Sequence, residues 1–112
     1  MARKITWAPS ALNDLRAISD YISRDSRSYA ACVIEKILGS AERLLDFPRI
    51  GRVVPEFDQD DIRELIVYSY RVIYQVQGDD ISVASVVHGA RRLKAAMRGS
   101  GLLRRRRKRG NK

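Results

Sequence analysis

Apolar side chains recur at steps of three and four through the first half of the chain and at steps of two through much of the second. From Ser10 the residues Leu12, Leu15, Ile18 and Ile22 fall on one side, with Asn13, Asp14, Arg16 and Asp20 between them. That spacing predicts a helix of about four turns with one apolar stripe, and Pro9 suits its first turn. Asp25-Ser26 breaks the pattern, and either residue can cap a second helix. The stripe of that helix runs through Ala30, Val33, Ile34, Ile37, Leu38, Ala41, Leu44 and Leu45, and Phe47-Pro48 ends it. Two helices joined by so few residues fold back on each other as an antiparallel hairpin.

Strands frame this hairpin. Residues 4–7 read as a short first strand. Residues 49–61, punctuated by Gly51 and Pro55 and acidic from Glu56 onward, read as a surface loop from the helices to the sheet. Alternation then predicts strands over 62–68, 70–77 and 81–87, with a turn at Gly78-Asp79-Asp80 that forces antiparallel pairing of the last two. The last strand ends on His88-Gly89-Ala90-Arg91-Arg92, and residues 90–97 read as a short C-terminal helix. The fold class is α+β, an N-terminal antiparallel helix hairpin packed on one face of a small, mostly antiparallel sheet. The opposite sheet face is left as a concave surface for a substrate or partner.

At 112 residues the chain holds one domain, and 45% hydrophobic with 31% charged residues is an ordinary globular composition. The net charge of +9 belongs to one end. Residues 98–112 carry eight Lys or Arg and no acid, so residues 1–97 hold 14 basic against 13 acidic side chains. The domain is therefore 1–97, and 98–112 is expected to be a disordered basic tail. Ordering those fifteen residues costs roughly 1 to 2 kcal/mol each, which Leu102 and Leu103 at about 2 kcal/mol apiece do not offset. The tail adds affinity for any polyanion and specifies none. Cys32 has no partner for a disulfide, no apolar run reaches membrane-spanning length, and the N-terminus lacks a signal-peptide core, which together predict a reducing cytoplasm.

With one histidine and one cysteine far apart, no set of residues has metal-ligand spacing, and there is neither a phosphate loop nor a dinucleotide fingerprint. No metal and no cofactor is expected. The remaining chemistry is His88 with Arg63, Arg71, Arg91 and Arg92, plus Tyr68, Tyr70 and Tyr74. These types suit metal-free RNA cleavage, in which His or Tyr moves protons and Arg holds phosphate oxygens. They equally suit structural duties. His88 can fix the turn after it, the arginines can pair with Glu64 and the cluster Asp58, Asp60 and Asp61, and Tyr70 and Tyr74 can lie in the core.

The ordered combination of helix hairpin, FPRIGRVVPE (47–56), the β-hairpin and VVHGARRL (86–93) resembles the RelE/ParE superfamily of toxins from type II toxin–antitoxin modules, over nearly all of residues 5–93. The resemblance implies a growth-arresting toxin neutralised by a cognate antitoxin, with operator DNA bound only through that antitoxin. In the RelE-like branch, ribosome-dependent nucleases use loop lysines, strand arginines and a C-terminal tyrosine. Here Arg63 and Arg91 stand where such arginines are expected, so a RelE-like reading makes His88, Arg63 and Arg91 catalytic. Residues 49–61 hold no lysine, however, and no tyrosine follows Arg91, Met97 lying near where one would fall. The VVHGARRL element is similar to the ParE branch, whose toxins act on DNA gyrase and lack a nuclease site. The ParE-like reading is preferred, with Arg71, Arg91, Arg92 and Leu93 as partner-binding residues. Messenger RNA cleavage, or a non-toxic module that binds only antitoxin and operator, stand as alternatives.

Overall fold

The computed structural model describes residues 4–89. The element order is β1 (Lys4–Trp7), α1 (Pro9–Ser23), α2 (Arg27–Glu42), a 3-10 turn (Arg43–Leu45), β2 (Arg52–Val53), β3 (Ile62–Val67), β4 (Tyr70–Gln77) and β5 (Asp80–His88). The strands form one sheet in the order β1-β5-β4-β3-β2. β1 lies parallel to β5 and every other pairing is antiparallel. The α+β architecture expected from the periodicity is the one observed, with the first strand at the sheet edge beside β5. The expected C-terminal helix over 90–97 and the basic tail lie outside the described residues.

Local chemistry sets the element ends. Pro9 opens α1, and the Ser26 hydroxyl caps α2 by accepting the Tyr29 amide at 3.1 Å. The 3-10 turn carries the chain off α2 before Phe47, so the helix stops at Glu42 rather than running on to Phe47-Pro48. The stripe on α1 also runs differently from the expectation. Ala11 and Leu15 are buried with Ile18 and Ile22 beside them, whereas Leu12 is exposed. On α2, Ala30, Val33, Ile37 and Ala41 are buried and Leu38 is exposed. In each helix the bulky residue one step off the axis of the stripe faces water.

Both faces of the sheet are packed. Val67, Val72, Tyr74, Ile81, Val83 and Val86 meet the helices in the main core. On the other face Val54 and Phe57 cover Ile62, Ile73, Ala84 and Val87. This corrects the expectation of an open concave face and of a plain surface loop at 49–61. The segment contributes β2 and a second small core, because Val54 and Phe57 are the apolar residues able to cover that face, and it closes over it.

Candidate functional site

Arg63, at the start of β3, is the pin that holds this covering segment. Its Nη1 donates to the carbonyls of Gly51 at 2.8 Å and Arg49 at 3.2 Å, its Nε donates to the Asp60 carbonyl at 2.9 Å, and its Nη2 meets the Asp60 carboxylate at 2.8 Å. A rigid fork of five donors suits this task, since it ties two stretches of backbone with one side chain. Arg71 is spent in a similar way. It is 8% exposed, grips the Glu56 carboxylate with Nη1 and Nη2 at 3.0 and 2.9 Å, and donates from Nε to Glu64. Glu64 is 1% exposed and also pairs with Arg52. The hydrogen bond with Glu56 holds Arg71 firmly charged against the cost of burial, and the same bond holds the Glu56 carboxyl below its ordinary range. The partner-binding duty expected of Arg71 thus falls on a guanidinium that already faces two carboxylates of its own chain.

His88 sits at the opposite end of β4 from Arg63, next to Val87, the cross-strand partner of Arg71. It ends β5 opposite Tyr70 on β4, and the two rings meet edge to face with centroids 5.7 Å apart at 84°. Arg63 pairs across with Tyr74, four positions along β4 from Tyr70 and two strands from β5. That offset puts it on the order of 15 Å from His88. The structure therefore does not bring His88 and Arg63 to one point. Arg91, Arg92 and Leu93 lie outside the described residues. Among the described residues no group of three His, Cys, Asp or Glu could hold a metal ion.

Around His88 and Tyr70 opens a cleft of about 490 Å³ between the α1–α2 connection and the tip of the β3–β4 hairpin. Ile18 and Ile22 lie in it, and Tyr21, Tyr29 and Tyr68 stand at its walls, 67%, 53% and 52% exposed. Burial, then the neighbouring Tyr29 and Tyr21, pushes the Tyr70 hydroxyl up, so Tyr70 is neutral at physiological pH. Tyr68 is the first residue of a two-residue turn and has φ +55°, a backbone region that bulky side chains rarely enter. Sequence reading found His88 and Tyr70 but missed Tyr21 and Tyr29, whose positions at adjoining helix ends were the available signal.

Comparison with known proteins identifies the family. The ParE toxin of the parDE type II toxin–antitoxin system matches residues 5–93. The chain belongs to that family. It is the toxin of a type II toxin–antitoxin system, and its partner is an antitoxin. It is 30% identical over 89 residues to the toxin RelE2 of Caulobacter vibrioides, covering 79% of this chain and 97% of that protein. The fold is similar to the chromosomal ParDE system of P. aeruginosa, with TM-score 0.64 and 20% identity over 76% of this chain and 94% of that one. A mutant of E. coli toxin RelE in the free state matches at TM-score 0.64 and 20% identity, over 94% of this chain and 98% of its own.

Proposed function

We propose that this toxin arrests growth as a ParE-like inhibitor of DNA gyrase, acting by binding in the cytoplasm with no turnover chemistry. The observation that carries this reading is the distance of Arg63 from His88, together with the engagement of Arg63 and Arg71 by groups of their own chain. A metal-free nuclease must gather a base, an acid and guanidiniums around one phosphate. Arg63 lies on the order of 15 Å from His88 by strand geometry, and both Arg63 and Arg71 are engaged by their own chain. The covering segment 49–61 adds no lysine. On this reading the run Arg91, Arg92 and Leu93 contacts a partner, and residues 98–112 are dispensable for arrest.

Induction in a bacterium, of the full chain and of a chain ending at Met97, tests both points. The DNA-damage response is expected to rise before protein synthesis falls, the neighbouring antitoxin to rescue growth, and purified toxin to block supercoiling by gyrase. Early loss of translation with mapped cuts in messenger RNA would replace this reading with the nuclease one.

A further inference from the structure

Tyr68 occupies a costly position. A two-residue hairpin turn with φ of +55° is served best by glycine or asparagine, and a bulky aromatic there holds strain that the rest of the fold must overcome. Its ring is 52% exposed, so core packing gives little return for that strain. Two further tyrosines, from the end of α1 and the start of α2, are still more than half exposed on the same cleft. Three rigid amphipathic rings over an aliphatic floor form the kind of surface that contributes most to protein recognition, because tyrosine buries large area with little loss of side-chain freedom.

We infer that this tyrosine-walled cleft is the surface by which the toxin grips its target, and that it takes a protein segment presenting one large apolar side chain flanked by carboxylates. The inference rests on the reading of the protein as a binding inhibitor and goes beyond it by naming the surface and its complement. Ile18 and Ile22 offer the apolar seat. The electrostatics favour acidic flanks. Arg24 lies 5.7 Å from the Tyr21 ring and supplies the positive charge beside that wall of the cleft. Asp14 is the carboxylate among the described lining residues, and it is turned onto Ser85 and Val86 and does not oppose an acidic ligand. A nucleic acid fits this cleft less well. Phosphate recognition needs a track of cations, and the described lining residues include no Lys or Arg.

The decisive variants are Tyr68→Gly and Tyr29→Ala in the full chain, each measured for melting temperature, antitoxin affinity, growth arrest and inhibition of purified gyrase. Glycine relieves the left-handed turn, so Tyr68→Gly is expected to melt no lower than the parent and to lose at least about tenfold in inhibition, the loss typical of one central aromatic anchor. Tyr29→Ala, on an exposed helical position, is expected to lose inhibition with an unchanged melt. Antitoxin affinity should stay within about twofold in both. Full inhibition by both variants overturns the assignment. So does lost antitoxin binding with intact inhibition, which would make the cleft the antitoxin's, and so does lost binding of a single-stranded oligonucleotide with intact inhibition. If the parent arrests growth without inhibiting gyrase, the gyrase reading fails by itself. The cleft is then judged by arrest alone, which is lost in both variants if it grips the target and kept if it does not.

Discussion

Asp14 and Ser85 lie 71 residues apart in the chain, and the Ser85 hydroxyl donates to the Asp14 carboxylate at 2.9 Å. The same oxygen accepts the Val86 amide at 2.9 Å, and one turn earlier on α1 the Ser10 hydroxyl donates to the Ala84 carbonyl at 2.8 Å. These contacts converge on a register shift. Ile73 pairs with Ser85 but Tyr74 pairs with Val83, leaving Ala84 as the extra residue of a β-bulge. A bulge exchanges the faces of everything beyond it. Ile81 and Val83 face the helices before it and Val86 after it, while Val87 joins the opposite cluster. His88 consequently stands on the helix side against Tyr70. With regular pairing it would share a face with Arg71.

Asp14→Ala should therefore do two things at once. Removing the acceptor of a hydroxyl and an amide at a partly buried position is expected to destabilise the fold by about 1 to 3 kcal/mol. It should also weaken the edge-to-face contact of His88 with Tyr70, read by nuclear Overhauser effects between the two rings. Asp14→Asn keeps an acceptor oxygen and should lie between alanine and parent on both scales. An alanine variant of parental stability with the ring contact intact would show that the strand holds its bulge without α1.

This bulge marks the limit of what the sequence displays. The helices, their order, the hairpin and the strand that ends on His88 are all legible because each depends on periodicity or on a local turn signal. Over 81–87, however, plain alternation does not reveal that Ala84 is inserted, since the reason lies on α1. The covering segment shows the same limit. Gly51 and Pro55 signal irregular backbone, yet Val54 and Phe57 are wholly buried because Arg63 and Arg71 draw their neighbours onto the sheet. The pairing of arginines with Glu64 and the Asp58–Asp61 cluster was readable as an alternative. Which arginine takes which acid depends on strand register.

Arg63→Ala separates a structural pin from a catalytic cation. Its charge-assisted bonds to Asp60 and its bonds to the Arg49 and Gly51 carbonyls should make the substitution cost about 2 kcal/mol. Growth arrest should then fall in step with the folded fraction and recover at lower temperature. Complete loss of arrest in a variant that melts like the parent would sink the structural assignment and return Arg63 to the chemistry.

Glu64 is the most exacting position in the outer network. Its side chain is fully buried between Arg52 and Arg71, so Glu64→Ala leaves the 8% exposed Arg71 facing Glu56 alone. Removing one of the two carboxylates of Arg71 is expected to cost about 1 to 3 kcal/mol, whereas replacing both partners with apolar residues of similar volume is milder. Glu64→Leu with Arg71→Met should accordingly melt above Glu64→Ala, the order being checked by parallel denaturant titrations. Equal melting would mean that the two side chains do not act as a pair.

Stability should fall off on both sides of neutral pH for reasons that two residues supply. Glu56 has its carboxyl held below the ordinary 4.5, chiefly by the Arg71 hydrogen bond. The folded state binds that proton less tightly than the unfolded chain, so the contribution is complete above about pH 4.5 and disappears as pH drops through the lower folded value. Tyr74 has its hydroxyl pushed above 10.0, first by burial. Here the folded state binds the proton more tightly, so the contribution is complete below pH 10 and is lost as pH rises through the higher folded value. Glu56→Gln should flatten the acid limb of a stability–pH curve and leave the alkaline limb alone. Tyr74→Phe should flatten part of the alkaline limb, the remainder belonging to Tyr70, whose hydroxyl is raised by the same cause. It should also lower the neutral plateau by about 1 to 3 kcal/mol, because the buried Gly51 amide donates to the Tyr74 hydroxyl at 3.0 Å and would lose that acceptor. Gly51 cannot move away to compensate without disturbing β2, since it already packs so closely that a Cβ there would lie 2.5 Å from the Glu64 carbonyl oxygen. Curves for the two variants that superimpose on the parent at both extremes would remove these residues from the pH response.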